Sequence, residues 1–596
     1  MSNPTICAFV QLGQPRHLDL LKRNISYTCE NRFFDEVVLV SSEKYLANEL
    51  SCTNVLCIDL SVLENKFPEP VSDWRANFKP TLDQTFSNGF WRHTTERFFY
   101  LYLLALHRPD CLLVHVENDY FLQPDFSLDL LLGWIKRDIG GSLNRAYTCF
   151  DNAKGVAGFL IAPGPTALLP IVKAALRHPD RNDMSILQSL RGSTVRQLPN
   201  KPPDSIDDKF TAPIFDPNYL GQYLFGTDSL ANPLRHEYRS DTRLFSNESA
   251  PIQVDSYMLE LGRKNGFINV GWRVDGNRHP IFGLHVHAKS LHPWKKRSLM
   301  LEDIITGEAV QSMCDLTIVT QQKVYSLKTQ KIQPKRVIVV SRDSPFPNPN
   351  DAAKIAKIVS SAKSIFLYGD CVKVFADVIQ PFLQNPIDLY IHNSDEIVDP
   401  RCEPFVTFQK SPVLTKVFAQ NLVWESGKFN GLPIGVANSN WAHGDKALVT
   451  SYLQSFIKTE CLYVNFDIRT HSSRRDCFEA TRRLPFATVR AGEQLSYDKY
   501  LSDIASHKFV LCPRGNGLDT HRFWESVYLG AVPVVMRSEV LPIHFRYDAL
   551  LIDRWEDLTL EMMEQHYLEY FTSERSGKLP KLSEYFQNPN GAKEWY

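Results

Sequence analysis

Between His507 and Val535 the chain reads HKFVLCPRGNGLDTHRFWESVYLGAVPVV, and these residue types in this order suit anion chemistry. Lys508–Cys512 is apolar and strand-like, and Pro513-Arg514-Gly515-Asn516-Gly517 breaks it. Asp519 or Thr520 can cap a helix running to about Leu529, Gly530 closes it, and Ala531–Val535 returns as a strand. Such a turn aims the backbone N–H groups of Gly515, Asn516 and Gly517, with a helix N-terminus, at whatever sits above the strand end. That is a site for a phosphate or diphosphate. Arg514 adds a planar, permanently charged fork for phosphate oxygens. Glu525 falls one turn after His521, placed to accept hydrogen bonds from the hydroxyls of a ribose or sugar.

A second set lies in the first half of the chain. The apolar run Cys111–Val116 leads straight into Glu117-Asn118-Asp119. Residues two apart in an extended chain point the same way, so Glu117 and Asp119 can aim at one divalent cation. Oxygen ligands suit Mg²⁺ or Mn²⁺, with diphosphate oxygens and water in the remaining positions. The segment GLHVHAKSL (283–291) puts His285 and His287 on one side of a strand and adds Lys289, which can touch phosphate. A transfer reaction that inverts its centre also needs a general base near the acceptor hydroxyl. Asp216 or Asp228 are the candidates in the first half; Asp395, with His392, is the candidate in the second.

Elements that alternate in type must position these groups. Thr5–Gln11, Glu36–Ser41 and Val55–Leu60 read as strands, with helical patterns over His17–Asn24 and Glu43–Leu50 between them. A longer helical pattern, Thr94–His107, precedes the strand Cys111–Val116. The alternation predicts a mostly parallel sheet with helices on its faces, whose ligands sit at the carboxyl ends of the strands. After His292–Lys296 the pattern restarts with Leu316–Val319, Arg336–Val340, Ser364–Leu367 and Ile387–Ile391, and Cys461–Val464 opens a last lobe. The expected fold class is α/β, divided as 1–300, 301–445 and 446–596, with a polar, loop-like tail beyond Phe571.

Composition narrows the classes of function. At 596 residues the chain exceeds one core several times over. Hydrophobic residues at 43% and charged residues at 22% place it among globular proteins rather than disordered ones. A net charge of −1 supplies no basic field for nucleic acid. The 12 cysteines include no C-x-x-C pair, which suits buried free thiols in a reducing compartment. The longest apolar run, Phe98–Leu106, is too short to span a bilayer, and no signal-like start is present. The expectation is a cytoplasmic protein able to dock peripherally at a membrane; oligomeric state leaves no mark.

PRGNGLDTHRFWESVYLGAVPVV (513–535) resembles the donor-binding half of exostosin-type glycosyltransferases, which have the two-lobed GT-B fold. IHNSDE (391–396), FAQN (418–421) and PIGVANSNW (433–441) resemble the linker and acceptor-side motifs of bacterial and large-virus relatives. The LDTH after the glycine turn departs from the exostosin pattern. In GT-B enzymes the loop after the first strand of the donor lobe faces the diphosphate. The resemblance therefore implies that Arg469, Arg474 or Arg475 in NFDIRTHSSRR assists Arg514. Residues 5–295 resemble GT-A glycosyltransferases, in which a D-x-D-type motif and a late histidine hold a metal-bound nucleotide sugar. That implies a metal held by Glu117, Asp119 and His285 or His287, with Glu117 standing where the motif has its first aspartate.

The resemblance implies a GT-A-like module, with a Rossmann-type mixed sheet and Mn²⁺ or Mg²⁺, followed by a GT-B unit of two Rossmann-like lobes needing no metal. The expected activity is bifunctional: sugars pass from nucleotide-sugar donors to a growing glycan or glycolipid acceptor, as in building a surface polysaccharide. Fusion raises the effective concentration of the first product at the second site. The alternative is one active transferase with the other module degenerate or acceptor-binding. A non-catalytic carbohydrate-binding scaffold is a third class.

Overall fold

Strands buried on both faces of a parallel sheet read as unbroken apolar runs rather than alternating ones, and Thr5–Gln11 is buried from Ile6 onward. The computed structural model describes residues 4–586 except 16, 51–53, 83–89, 139–143, 151–153, 201–212, 218–219, 222–223, 225–258, 275–276, 287–298, 342–354, 356, 454–455 and 574–577. Asp228, His287, Lys289 and the His292–Lys296 segment lie outside the described residues. The chain divides into two compact units, Met1–Lys295 and Lys296–Tyr596.

The strands of the first unit are β1 (Thr5–Gln11), β2 (Glu36–Ser41), β3 (Val55–Asp59), β4 (Leu112–Val116), β5 (Tyr120–Leu122), β6 (Ala146–Phe150), β7 (Gly155–Ala162), β8 (Val195–Gln197), β9 (Ile214–Phe215), β10 (Leu259–Lys264), β11 (Phe267–Val274) and β12 (Asn277–His285). Among the described residues the main sheet has the order β3-β2-β1-β4-β7-β6-β8. β1 to β4 run parallel, and β7 is antiparallel to both β4 and β6, so the sheet is mixed. Alternate residues of β1 enter different cores, Ile6, Ala8 and Val10 on one face and Cys7 and Phe9 on the other. A second run, β10-β11-β12-β5, is antiparallel, and β9 lies parallel on β12.

In the second unit one lobe holds β13 (Leu316–Thr320), β14 (Val337–Val340), β15 (Ser364–Tyr368), β16 (Ile387–His392), β17 (Leu414–Ala419) and β18 (Phe429–Gly431). They form a parallel sheet in the order β14-β13-β15-β16-β17-β18. After the short β19 (Phe456–Ile457) come β20 (Glu460–Val464), β21 (Ala487–Val489), β22 (His507–Leu511), β23 (Val532–Met536) and β24 (Leu550–Ile552). These last five are parallel in the order β21-β20-β22-β23-β24. Both lobes are Rossmann-like: parallel strands alternate with helices begun by hydroxyl caps, such as Thr306, Ser496 and Thr520.

The tail beyond Phe571 is not the polar loop expected of it. Leu582 and Tyr585 are buried in the core of the first lobe, and the Tyr585 carbonyl accepts a hydrogen bond from Tyr390 at 2.8 Å. The polar residues around them hid two anchors three residues apart, in a single turn too short to show a period. Among the described residues every cysteine is a free thiol, and no helix is long and apolar enough to cross a membrane.

Candidate functional site

In the first unit the loop 117–119 joins β4 to β5, so its residues stand at the carboxyl end of a parallel strand. Asn24, fully buried on the helix Leu18–Asn31, fastens this loop. Its amide donates to the carbonyls of Glu117 at 3.0 Å, Asn118 at 3.1 Å and Tyr120 at 2.9 Å. β5 then pairs antiparallel with β12 in a register that sets His285 opposite Tyr120. A one-residue slip would turn the imidazole to the other face of the sheet. The register is held by the Tyr120 ring, which fits where no side chain is present on either of two facing strands. A Cβ on Gly283 would lie 2.2 Å from that ring, and one on Gly158 2.6 Å. Gly283→Ala is therefore expected to destabilise the unit by about 1–3 kcal/mol through overpacking. Thermal unfolding of the variant checks this, and an unchanged Tm would refute the register argument.

The result is a cluster. Ligand-type atoms of Glu117, Asp119 and His285 all lie within 4.8 Å of one another. His285 Nε2 is 3.2 Å from Asp119 Oδ2 and 3.9 Å from Glu117 Oε2. Bonds of about 2.0–2.2 Å to one ion place neighbouring donor atoms about 3 Å apart, so this spacing fits a hard divalent cation with oxygen and nitrogen ligands. Arg97, buried on the helix Phe90–His107, pairs with the other oxygen of Glu117 and with Asp183 at 2.6 Å. The Arg97 guanidinium is thus shared by two carboxylates, Glu117 and Asp183, and only one of them belongs to the cluster.

Asp216 does not stand where a base is needed. It is fully buried, and its carboxylate accepts from the backbone N–H groups of Leu220 at 3.0 Å, Gly221 at 2.7 Å and His285 at 3.2 Å. It anchors Leu220 and Gly221 against β12 in place of the proton-accepting role expected of it.

In the second unit the carboxyl ends of both parallel sheets border one cleft of 990 Å³. Asp370 after β15, Asn393 to Glu396 after β16, Asp467 after β20 and Gly515 to Gly517 after β22 all line it. The motifs 391–396, 418–421 and 433–441 stitch the two lobes together around this space. Asn421 donates to the Ser394 carbonyl at 2.9 Å and accepts from the Asp519 N–H at 2.7 Å. The segment 433–435 is clamped at each residue. Pro433 O accepts from His392 Nε2 at 3.0 Å, Ile434 N–H donates to Asp519 at 2.7 Å, and Gly435 O accepts from His521 Nδ1 at 2.7 Å. Gly435 has φ +67°, and a Cβ there would lie 2.1 Å from the Ile305 carbonyl oxygen, so only glycine fits. Asp519 is enclosed between Trp524 Nε1 at 2.7 Å and His544 Nε2 at 3.2 Å; Thr520, not Asp519, is the helix cap.

Several expectations for this region change. Arg514 folds back onto its own turn, donating to the carbonyls of Gly515 at 3.3 Å and Asn516 at 2.8 Å, and is not part of the cleft wall. The N–H groups of Arg514 and Gly515 are taken by Glu539 and Gly517, so the turn offers less of a backbone cradle than its glycines suggest. Glu525 is buried, and its two oxygens accept from Tyr497 and Tyr500 at 2.8 Å each. Burial and that carboxylate push both phenols well up, which keeps them donors. Glu525 therefore holds the helix Tyr497–Ser506 rather than presenting itself to a sugar. Asp395 lines the cleft but is exposed, and His392 is buried in its clamp.

Two other arginines face the cleft. Arg474, on the helix Ser472–Thr481, donates to the Arg514 carbonyl at 2.9 Å and lies against the glycine turn, where a Cβ on Gly515 would meet its guanidinium at 3.2 Å. Burial, with the like charge of Arg522, brings Arg474 down to about 10. Arg522 was not singled out by the sequence, because its neighbours read as one face of a short helix. Its guanidinium lies 5.8 Å from the Phe466 ring and 5.9 Å from the Tyr500 ring. Among the described residues it makes no ion pair or hydrogen bond, and its Nε is enclosed without a partner. The Glu525 carboxylate attracts Arg522 without bonding to it, and two enclosed cations side by side favour an anion between them.

No protein-family model matches the chain, and no curated protein matches it. Three solved structures illustrate what it is similar to. The galactosyltransferase LgtC, in complex with donor and acceptor sugar analogues, is 14% identical over 32% of this chain and 73% of its own, with a TM-score of 0.22. The glycosyltransferase GlyE of Streptococcus pneumoniae is 12% identical over 72% of this chain and 95% of its own, with a TM-score of 0.22. HepE of Anabaena, in complex with UDP and glucose, is 9% identical over 44% of this chain and 94% of its own, with a TM-score of 0.25.

Proposed function

We propose that the chain is a bifunctional glycosyltransferase, each unit moving a sugar from a nucleotide-sugar donor to one growing glycan, such as a surface polysaccharide. The observation that carries this reading is that each unit gathers charge suited to a leaving diphosphate at the carboxyl ends of parallel strands. Each does so by a different device. Breaking a sugar–nucleotide bond leaves negative charge on the diphosphate while the anomeric carbon becomes cationic. In the first unit Glu117, Asp119 and His285 would hold Mn²⁺ or Mg²⁺, which when bound neutralises that charge. Asn24 and the β5–β12 register keep the ligands converged, and Arg97 keeps Glu117 aimed. In the second unit Arg474 and Arg522 would grip the diphosphate directly, with the Gly515–Gly517 turn against it, and no metal is needed. The protein would act from the cytoplasm, docking peripherally where its glycan or glycolipid acceptor is membrane-bound.

Chelation separates the two devices. Screened against a panel of nucleotide sugars, the full chain is expected to turn over one donor only with Mn²⁺ or Mg²⁺ and another equally well in EDTA. If every turnover is lost in EDTA, or none is, a single active module with a degenerate or acceptor-binding partner replaces the bifunctional reading.

A further inference from the structure

The reading of the second unit leaves its acceptor without a base, and the cleft contains one that the sequence did not mark. We propose that His521 is the general base that deprotonates the acceptor hydroxyl in the second unit, an inference that rests on the cleft being a glycosyl-transfer site. His521 is the first residue of the helix His521–Tyr528 and lines the cleft beside Arg522. A carbonyl oxygen can only accept, so the 2.7 Å contact with Gly435 O fixes the proton of the neutral ring on Nδ1. Nε2, across the ring, is then the acceptor. The orienting group is itself fixed, because Gly435 is held in a left-handed conformation by the Ile305 backbone. A ring oriented by a hydrogen bond behind its working nitrogen is the arrangement a general base requires.

The other candidates lack that support. His443 lines the same cleft with its ring 6.4 Å from His521, and burial lowers it, but no hydrogen bond sets its tautomer among the described residues. Asp395 stands exposed at the cleft wall, with no hydrogen bond or ion pair to orient it among the described residues. In the step proposed, the acceptor O–H proton passes to His521 Nε2 as the acceptor oxygen bonds to the anomeric carbon. The bond from that carbon to the diphosphate oxygen breaks, and its electron pair leaves with the diphosphate between Arg474 and Arg522. The proton is released to water after the product departs. A single displacement of this kind inverts the anomeric configuration.

Two variants of the full chain test the proposal with the nucleotide sugar whose turnover survives EDTA. His521→Asn keeps a side-chain N–H near Gly435 O and removes the base. It is expected to lower kcat by about 100- to 10,000-fold, with the affinity for the nucleoside diphosphate unchanged. His521→Ala is expected to regain turnover when imidazole is added, and NMR of the wild-type product is expected to show inversion. Near-normal kcat in His521→Asn, absence of imidazole rescue, or a retained configuration each overturns the assignment of His521. Failure of the wild-type chain to bind any nucleoside diphosphate in EDTA would instead overturn the reading of the cleft on which the assignment rests.

Discussion

Arg522→Met is expected to lower the EDTA-resistant transfer by about 100- to 1,000-fold, the range found when one donor to a developing negative charge is removed. The same change is expected to leave the fold as stable as before or more so. The Arg522 guanidinium has no ion pair or hydrogen bond among the described residues, and its Nε is enclosed. Replacing it by an apolar side chain of similar reach removes a desolvated charge and keeps the packing on Phe466 and Tyr500. A group kept at the expense of stability is one retained for binding or catalysis. Turnover with kcat/KM in EDTA and thermal unfolding read the two effects separately. Unaltered turnover, or a Tm several degrees lower, would show that Arg522 is a structural residue after all.

The second large effect is expected at Asp119. Its Oδ2 is 3.2 Å from His285 Nε2, whereas Glu117 already shares its charge with Arg97. Asp119 therefore supplies the carboxylate nearest the imidazole in the cluster. Asp119→Ala is expected to weaken Mn²⁺ binding by more than the about 10- to 100-fold that loss of a group behind a ligand costs. Metal-dependent turnover is expected to fall in parallel, while the EDTA-resistant reaction continues. Manganese titration followed by electron paramagnetic resonance gives the affinity directly. Full Mn²⁺ affinity in the variant would remove the cluster from consideration as a metal site.

How far the sequence led depends on what kind of physics fixed each feature. The parallel sheets were readable because strands buried on both faces leave unbroken apolar runs. Thr5–Gln11 and Glu36–Ser41 were read with the bounds they have in the structure. The pairing of Glu117 with Asp119 was local, a matter of two residues at the end of β4, and so could be read as well. Bringing His285 to them depends on a register between β5 and β12 across more than a hundred residues, which only the structure displays.

The reading failed where a side chain had a choice of direction. Arg514 looked like the phosphate ligand because it sits in the glycine turn, but two carbonyls of that turn capture it. Glu525 lay at the right spacing from His521, yet two tyrosines from another helix occupy its oxygens. Arg522 escaped notice for the opposite reason. What distinguishes it is a guanidinium with no hydrogen bond or ion pair among the described residues, and a sequence carries no sign of that.

The most direct measurement is calorimetric titration of the full chain with a panel of nucleoside diphosphates, first with Mn²⁺ and then in EDTA. Two binding events are expected with Mn²⁺ and one in EDTA. Asp119→Ala is expected to abolish the event that needs the metal, and Arg522→Met the one that does not. A single event under both conditions, or two events that the same substitution abolishes together, would contradict the claim that each unit holds a diphosphate by its own device.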